Sequence, residues 1–204
     1  MVLKKAHFDY LDRLSRGEGG VVCPRQFTKK FINFDQLKGV LGYEETPKSP
    51  DMLYIDKKRE IVWFVEFKSN NLKKLKSKEL KFEVRRKVLE GLLLFYELFG
   101  ERFCRFKKVF ILVYKDEVVG NEVVNEREEV ERIYSYWGEE LPLIYGNGKN
   151  FEETLGNYRK NRGGEEEEIS ENFALKEFEK NFFEGADVMK CSDFLDFFEK
   201  NTDF

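Results

Sequence analysis

The 204-residue chain is poor in the residues that build disulfide frameworks, zinc sites and membrane spans. It has one His and three Cys, and Cys23, Cys104 and Cys191 are too few and too scattered for a disulfide framework or a zinc knuckle. The longest apolar runs, Ile61–Val65 and Val109–Tyr114, fall far short of the about 20 residues that cross a bilayer. The N-terminus lacks the apolar core of a secretory signal. We therefore expect a cytoplasmic chain with reduced cysteines and no membrane association.

Phenylalanine is abundant, and this abundance argues against disorder. Hydrophobic residues make up 41% of the chain and include 21 Phe. That content and length suffice for one substantial core. The richness in Lys and Glu, with only two Gln, is compatible with a thermophilic source.

Charge is unevenly distributed along the chain. Residues 1–115 hold 26 Lys and Arg against 15 Asp and Glu, whereas residues 116–204 hold 10 against 24. A basic half beside an acidic half is typical of a protein that faces a polyanion. In that case the acidic half solubilises the chain or competes with the polyanion. The alternative is that two oppositely charged surfaces pack on each other.

Hydrophobic periodicity predicts a layered α/β (α+β) fold. The elements that it indicates up to residue 115 are a helix over Ala6–Ser15, a helix over Phe27–Leu41, strands Met52–Ile55 and Ile61–Phe67, a helix over Ser77–Phe99 and a strand over Lys107–Lys115. They suggest a core domain over residues 1–150 with a mixed central sheet flanked by helices.

The remainder of the chain reads as an acidic, Phe-rich helical extension over residues 151–204. Before it, the pattern indicates a helix over Glu126–Trp137 and a short strand over Leu141–Tyr145. Within the extension, Phe173–Phe183 and Cys191–Phe198 are predicted amphipathic helices. The pattern leaves open whether these helices pack on the core or form a homodimer.

Three charged side chains stand out because of the strand that carries them. Glu66 and Lys68 follow the uncharged run Ile61–Val65, and Asp51 begins the preceding strand. If the turn pairs Asp56 with Ile61, then Asp51 lies opposite Glu66, and alternation places Lys68 on the same face. Two adjacent carboxylates repel each other unless a cation lies between them, and Mg²⁺ prefers such oxygen ligands. The alternative is that Asp51 is a turn residue and that Glu66 and Lys68 form an edge ion pair.

Pro50-Asp51 followed by Glu66-Phe67-Lys68 on a strand pair resembles the signature of the PD-(D/E)XK, restriction-endonuclease-like nucleases. The resemblance spans residues 27–115 and implies an α-β-β-α-β core. It implies that Asp51, Glu66 and the backbone carbonyl of Phe67 bind Mg²⁺ or Mn²⁺, and that Lys68 orients or activates the attacking water. The implied activity is metal-dependent hydrolysis of phosphodiester bonds, with DNA favoured, and duplex cutters of this kind commonly dimerise. A catalytically inactive relative that binds nucleic acid or serves assembly is the alternative.

The sequence departs from the family pattern upstream of the motif. Many members carry a Glu in the first core helix as a further ligand, but Phe27–Leu41 contains only Asp35. Glu18, Glu44 and Glu45 are weak substitutes. The additional acidic ligand is therefore left open.

A basic run follows the motif and predicts phosphate contacts. Its candidate nucleic-acid-binding residues are Lys73, Lys74, Lys78, Lys81 and Arg85. Three of them, Lys78, Lys81 and Arg85, have the spacing of one helical stripe. The alternative is a solvated helix face on which these side chains pair with neighbouring glutamates.

Overall fold

A mixed six-stranded sheet forms the centre of the part of the chain that the computed structural model describes. Helices flank the sheet, so the fold belongs to the predicted α/β class. The described residues are 8–17, 20–24, 30–44, 46–69, 78–100, 103–115, 151–161, 164–173 and 175–202.

The described elements follow one another in this order along the chain. Up to residue 115 they are β1 (Phe8–Asp9), α1 (Leu11–Leu14), β2 (Arg16–Gly17), β3 (Gly20–Val21), β4 (Phe31–Asn33), α2 (Phe34–Lys38), a 3₁₀ turn (Gly39–Leu41), β5 (Met52–Asp56), β6 (Ile61–Lys68), α3 (Lys78–Phe99) and β7 (Lys107–Tyr114). The later elements are α4 (Phe151–Asn161), α5 (Gly164–Asn172), α6 (Leu175–Asn181), β8 (Gly185–Lys190) and α7 (Cys191–Asn201). The large sheet has the order β1-β4-β5-β6-β7-β8, while β2 and β3 form a separate hairpin.

Strand β6 lies inside the sheet and is covered on both faces. It pairs antiparallel with β5 and parallel with β7, and its two faces belong to different cores. Val62 and Phe64 belong to the core that includes α3, whereas Trp63 packs edge-on against Phe198 of α7 at 5.1 Å. This two-sided burial explains why the run before Glu66 carries no charge.

Helix α3 packs closely against the chain just before β5. The residues that it buries against the sheet include Leu80, Val84, Val88 and Phe95. Gly91 faces Pro50, and a Cβ at position 91 would collide with the proline ring. A glycine is therefore needed where α3 approaches the residue that precedes Asp51.

The predicted hairpin, long helix and following strand are confirmed, but two helix predictions near the N-terminus are wrong in part. Within Ala6–Ser15 the described residues form β1 and then the short α1, and Phe27–Leu41 contains β4 before α2. Phe31 and Ile32 are consecutive and bury into opposite cores, which is the pattern of a strand. Ile32 pairs with Leu53 of β5.

The C-terminal segment is not only helical, which corrects the expected helical extension. Strand β8 pairs parallel with β7 over six residues and so continues the central sheet. The helix predicted over Phe173–Phe183 is shorter, as α6, and the helix predicted over Cys191–Phe198 is confirmed as α7. The predicted elements Glu126–Trp137 and Leu141–Tyr145 lie outside the described residues.

Two of the cysteines form a disulfide, which corrects the expectation of three reduced thiols. Cys23 and Cys191 are buried, with their Cα atoms 5.6 Å apart, although 168 residues separate them in sequence. They meet because α7 packs on the same sheet face as the chain after β3. Within the described ranges, every helix is too short or too polar to cross a membrane.

Candidate functional site

The β5–β6 register brings Asp51 to the end of β6, as the sequence predicted. Asp56 pairs with Ile61, and Met52 pairs with Val65 at the other end of the ladder. One residue beyond the ladder, the Phe67 N–H donates a 2.8 Å hydrogen bond to Asp51 Oδ2. The hairpin therefore fixes one oxygen of the Asp51 carboxylate against the backbone of β6.

Glu66 and Lys68 extend from β6 toward α3. The Glu66 side chain has no solvent exposure, and the Lys68 side chain is only 12% exposed. Lys68 Nζ lies 3.0 Å from Glu66 Oε1. A buried carboxylate needs such a partner, because an unpaired charge in this environment is costly.

Lys87 of α3 places its ammonium between the two carboxylates. Its Nζ lies 2.8 and 3.0 Å from the two oxygens of Glu66 and 3.3 Å from Asp51 Oδ1. Sequence analysis missed this role because Lys87 lies within a dense basic run. The available signal was that Lys87 directly precedes Val88, which is buried. Lys87 therefore lies at the edge of the helix face that packs on the sheet.

Glu83 completes a chain of alternating charges. Its Oε1 accepts a 2.7 Å hydrogen bond from Lys68 Nζ, and it lies one helical turn before Lys87. The order of contacts is Glu83, Lys68, Glu66, Lys87 and Asp51. Three carboxylates and two ammonium groups leave this cluster with an excess of one negative charge when all five are ionised.

The surroundings shift the pKa values of these groups in different directions. Burial and the charge of Glu66 raise the pKa of Asp51 to about 7, even though Lys87 and the Phe67 N–H oppose the shift. Burial, the largest single influence, would lower the pKa values of Lys68 and Lys87, but the charge of Glu66 together with the other carboxylate contacts of each lysine outweighs it and raises both. Both lysines are therefore ammonium groups at neutral pH.

A polar cavity of about 430 Å³ opens beside Asp51. Arg13, Arg16, Asp35 and Lys38 are among the residues that line it together with Asp51. The Asp51 side chain is 22% exposed, so it is the carboxylate of the pair that solvent can reach.

Asp35 lies in this cavity but is already engaged. It accepts hydrogen bonds from Ser49 Oγ at 2.6 Å and from Lys38 Nζ at 2.9 Å. Partial burial opposes the ionisation of Asp35, but these two hydrogen bonds together with the charges of Lys38 and Lys87 outweigh it and lower the pKa of Asp35. Asp35 is thus an ionised carboxylate near the site, bound to a lysine and a serine.

The predicted basic stripe faces away from the carboxylates. Lys73 and Lys74 lie outside the described residues, whereas Lys78 is exposed and Lys81 is half-buried. The Arg85 guanidinium lies over the Phe178 ring of α6 at 5.8 Å. Because each helical residue turns the chain by about 100°, Arg85 and Lys87 point to nearly opposite sides of α3.

The site offers two convergent carboxylates to a cation. Asp51 and Glu66 both contact one ammonium, so their oxygens already converge on one positive charge. Among the described residues, no group of three or more His, Cys, Asp or Glu side chains is placed to hold a metal ion. The two carboxylates fit a divalent ion only if further oxygen ligands complete its coordination. The Phe67 carbonyl remains the predicted additional ligand.

Comparisons with known proteins found no protein-family model, curated protein or solved structure that matches this chain. The chemistry of the site is therefore what bears on the function.

Proposed function

We propose that the chain is a metal-dependent nuclease of the PD-(D/E)XK type, which hydrolyses phosphodiester bonds and favours DNA. The observation that supports this proposal is that Asp51 and Glu66 converge on one positive charge, the Lys87 ammonium, at the end of β6. The polar cavity beside Asp51 supports it further, because it gives a phosphodiester a route to the less buried carboxylate. Arg13 and Arg16 contribute positive charge to the lining of that cavity.

In this proposal Asp51, Glu66 and the Phe67 carbonyl hold Mg²⁺ or Mn²⁺. When bound, such an ion polarises a phosphoryl oxygen and lowers the pKa of a bound water. The carboxylates supply the negative charge that retains the ion, and the Phe67 N–H keeps Asp51 oriented toward it.

Lys68 acts as a cation in this proposal. Its ammonium lies 3.0 Å from Glu66 Oε1, and in the metal-free chain the neighbouring carboxylates raise its pKa. An ammonium beside the reacting phosphate orients the water by hydrogen bonding and offsets the negative charge that develops in the transition state. Glu83 holds this ammonium in place through the 2.7 Å hydrogen bond.

A second candidate function is nucleic-acid binding without catalysis. The observation that favours it is the Lys87 ammonium, which contacts both Asp51 and Glu66 and offsets part of their negative charge. A protein of this kind would bind nucleic acid in a salt-dependent manner and would not bind Mg²⁺.

Cleavage assays with matched variants test the proposal. Single-stranded DNA, duplex DNA and RNA of equal length are incubated with the full chain in Mg²⁺, Mn²⁺ or EDTA. We expect metal-dependent cleavage, which Asp51→Asn, Glu66→Gln or Lys68→Met lowers by about 100-fold or more, since each removes a charge from the reacting centre. Lys57→Met, in the exposed turn at the far end of the β5–β6 hairpin, is the control and should retain activity. Undiminished cleavage by Asp51→Asn would refute the assignment, and salt-dependent binding without cleavage would support the second candidate.

A further inference from the structure

We infer that Lys87 is a built-in competitor of the divalent ion, because its ammonium fills the gap between Asp51 and Glu66. The inference rests on the proposed function for the identity of the ion. It goes beyond that function because it assigns Lys87 a role in setting the metal affinity.

The inference rests on the contacts of the Lys87 ammonium. Its Nζ has three carboxylate oxygens within 3.3 Å, two from Glu66 and one from Asp51. An ion bound to the same two carboxylates would lie about 2.0–2.1 Å from their oxygens and would share the gap with the ammonium. Two positive charges at that separation repel each other strongly in a site shielded from water. The ammonium therefore has to leave when the ion binds.

Burial of the carboxylates explains why such a competitor is useful to the metal-free chain. Glu66 has no exposure, and Asp51 is its direct neighbour across the hairpin. Without a cation, the two negative charges would repel each other away from solvent. Lys87 satisfies them in the absence of metal, and its four-carbon side chain is flexible enough to withdraw from the gap.

Lys68 does not substitute for Lys87 in this role. Its ammonium contacts Glu66 and Glu83, whereas the ammonium in contact with Asp51 is that of Lys87. Lys87 is the lysine that contacts both members of the carboxylate pair. The competition therefore resides on α3 and not in the sequence motif itself.

Calorimetric titration of the full chain with Mn²⁺ or Mg²⁺ tests the inference. The proteins are the parent, Lys87→Met and the control Lys81→Met, each stripped of metal with EDTA and checked for folding by circular dichroism. We expect Lys87→Met to bind the ion about tenfold more tightly, because the competing charge is gone. Lys81→Met should match the parent. Equal affinity in the parent and in folded Lys87→Met would overturn the inference.

A second measurement uses the parent protein alone and covers the case in which Lys87→Met does not fold. Lysines are acetylated with a soluble reagent, with and without saturating Mn²⁺, and the modification at each site is quantified by mass spectrometry. We expect Mn²⁺ to increase the modification of Lys87 severalfold relative to Lys81, since the displaced amine leaves the carboxylates. Unchanged modification of Lys87 in a metal-saturated protein would contradict displacement.

The titration separates failure of this inference from failure of the proposed function. Binding by Lys87→Met but not by the parent would uphold the competitor and refute a metal-dependent parent enzyme. Equal binding by both would refute the competitor and leave the nuclease proposal standing. Absence of binding in both folded proteins would refute both.

Discussion

The two sides of helix α3 carry similar basic residues with different surroundings. On one side, Lys87 lies between Glu66 and Asp51 and is 13% exposed. On the other side, Lys78 is exposed and Arg85 lies over Phe178. A dense basic run therefore does not by itself identify the lysine that belongs to the site. That assignment depends on how the helix is rotated against the sheet.

The largest expected difference between the two sides concerns the stability of the metal-free protein. Lys87→Met leaves the fully buried Glu66 and the partly buried Asp51 without their shared partner, so we expect a loss of about 3 kcal/mol in the free energy of unfolding. Lys81→Met should change it by less than about 0.5 kcal/mol. Urea unfolding in EDTA, followed by circular dichroism, measures both values. Similar losses in the two variants would contradict the difference between the two sides.

The close approach of α3 to Pro50 gives the next largest effect. Gly91→Ala introduces a Cβ that collides with the Pro50 ring, and we expect a loss of about 2 kcal/mol from the resulting backbone shift. Leu93→Ala is a suitable control because Leu93 is 69% exposed on the same helix. Thermal unfolding measures both variants. A Gly91→Ala protein as stable as the parent would show that the site does not depend on this contact.

The pH dependence of the free energy of unfolding tests the ionisation of Asp51, on the side of α3 that faces the carboxylates. The pKa of Asp51 is raised to about 7 in the folded protein, so the folded state holds its proton more tightly than the unfolded state does. The resulting stabilisation is complete below pH 3.8 and is lost as the pH rises through 7. The side chain is 22% exposed, so solvent limits the effect.

The free energy of unfolding of the metal-free parent should decrease between about pH 5 and pH 8. We expect Asp51→Asn to make this decrease smaller by about 1–2 kcal/mol. Urea unfolding in EDTA at several pH values measures the effect. Lys81→Met should retain the parent slope, because Lys81 is not part of the charged cluster. An unchanged slope in Asp51→Asn would show that Asp51 is ionised throughout this range.

The smallest effect is expected from the other side of α3. If Lys78, Lys81 and Arg85 contact phosphates, replacing all three by Ala should lower the salt dependence of DNA binding by about one unit of log–log slope per lost contact. The metal affinity should not change, since these side chains point away from the carboxylates. Fluorescence anisotropy at several salt concentrations measures the slope, and an unchanged slope would remove the stripe from the nucleic-acid interface.

Much of the central hairpin could be predicted because its determinants are close together in sequence. The charged turn and the uncharged run Ile61–Val65 that follows it specify the pairing of Asp56 with Ile61. The placement of Asp51 beside the end of β6 followed from that register, and the Phe67 N–H contact agrees with it.

Strand β8 could not be found in the same way. It is short, and Asp187 interrupts its apolar character. In the fold this carboxylate is fully buried, and Arg159 of α4 approaches its Oδ2 to 2.7 Å. The partner lies on another element, so the local pattern gave no reason to expect a buried strand there.

By itself the sequence determined the β5–β6 hairpin and the common location of Asp51, Glu66 and Lys68, because turn chemistry and side-chain alternation act between near neighbours. Only the tertiary structure decided that Lys87 bridges the carboxylates and that Cys23 meets Cys191. Both outcomes depend on how helices pack on the two faces of the sheet. That packing is set by contacts between residues far apart in sequence, such as Gly91 with Pro50.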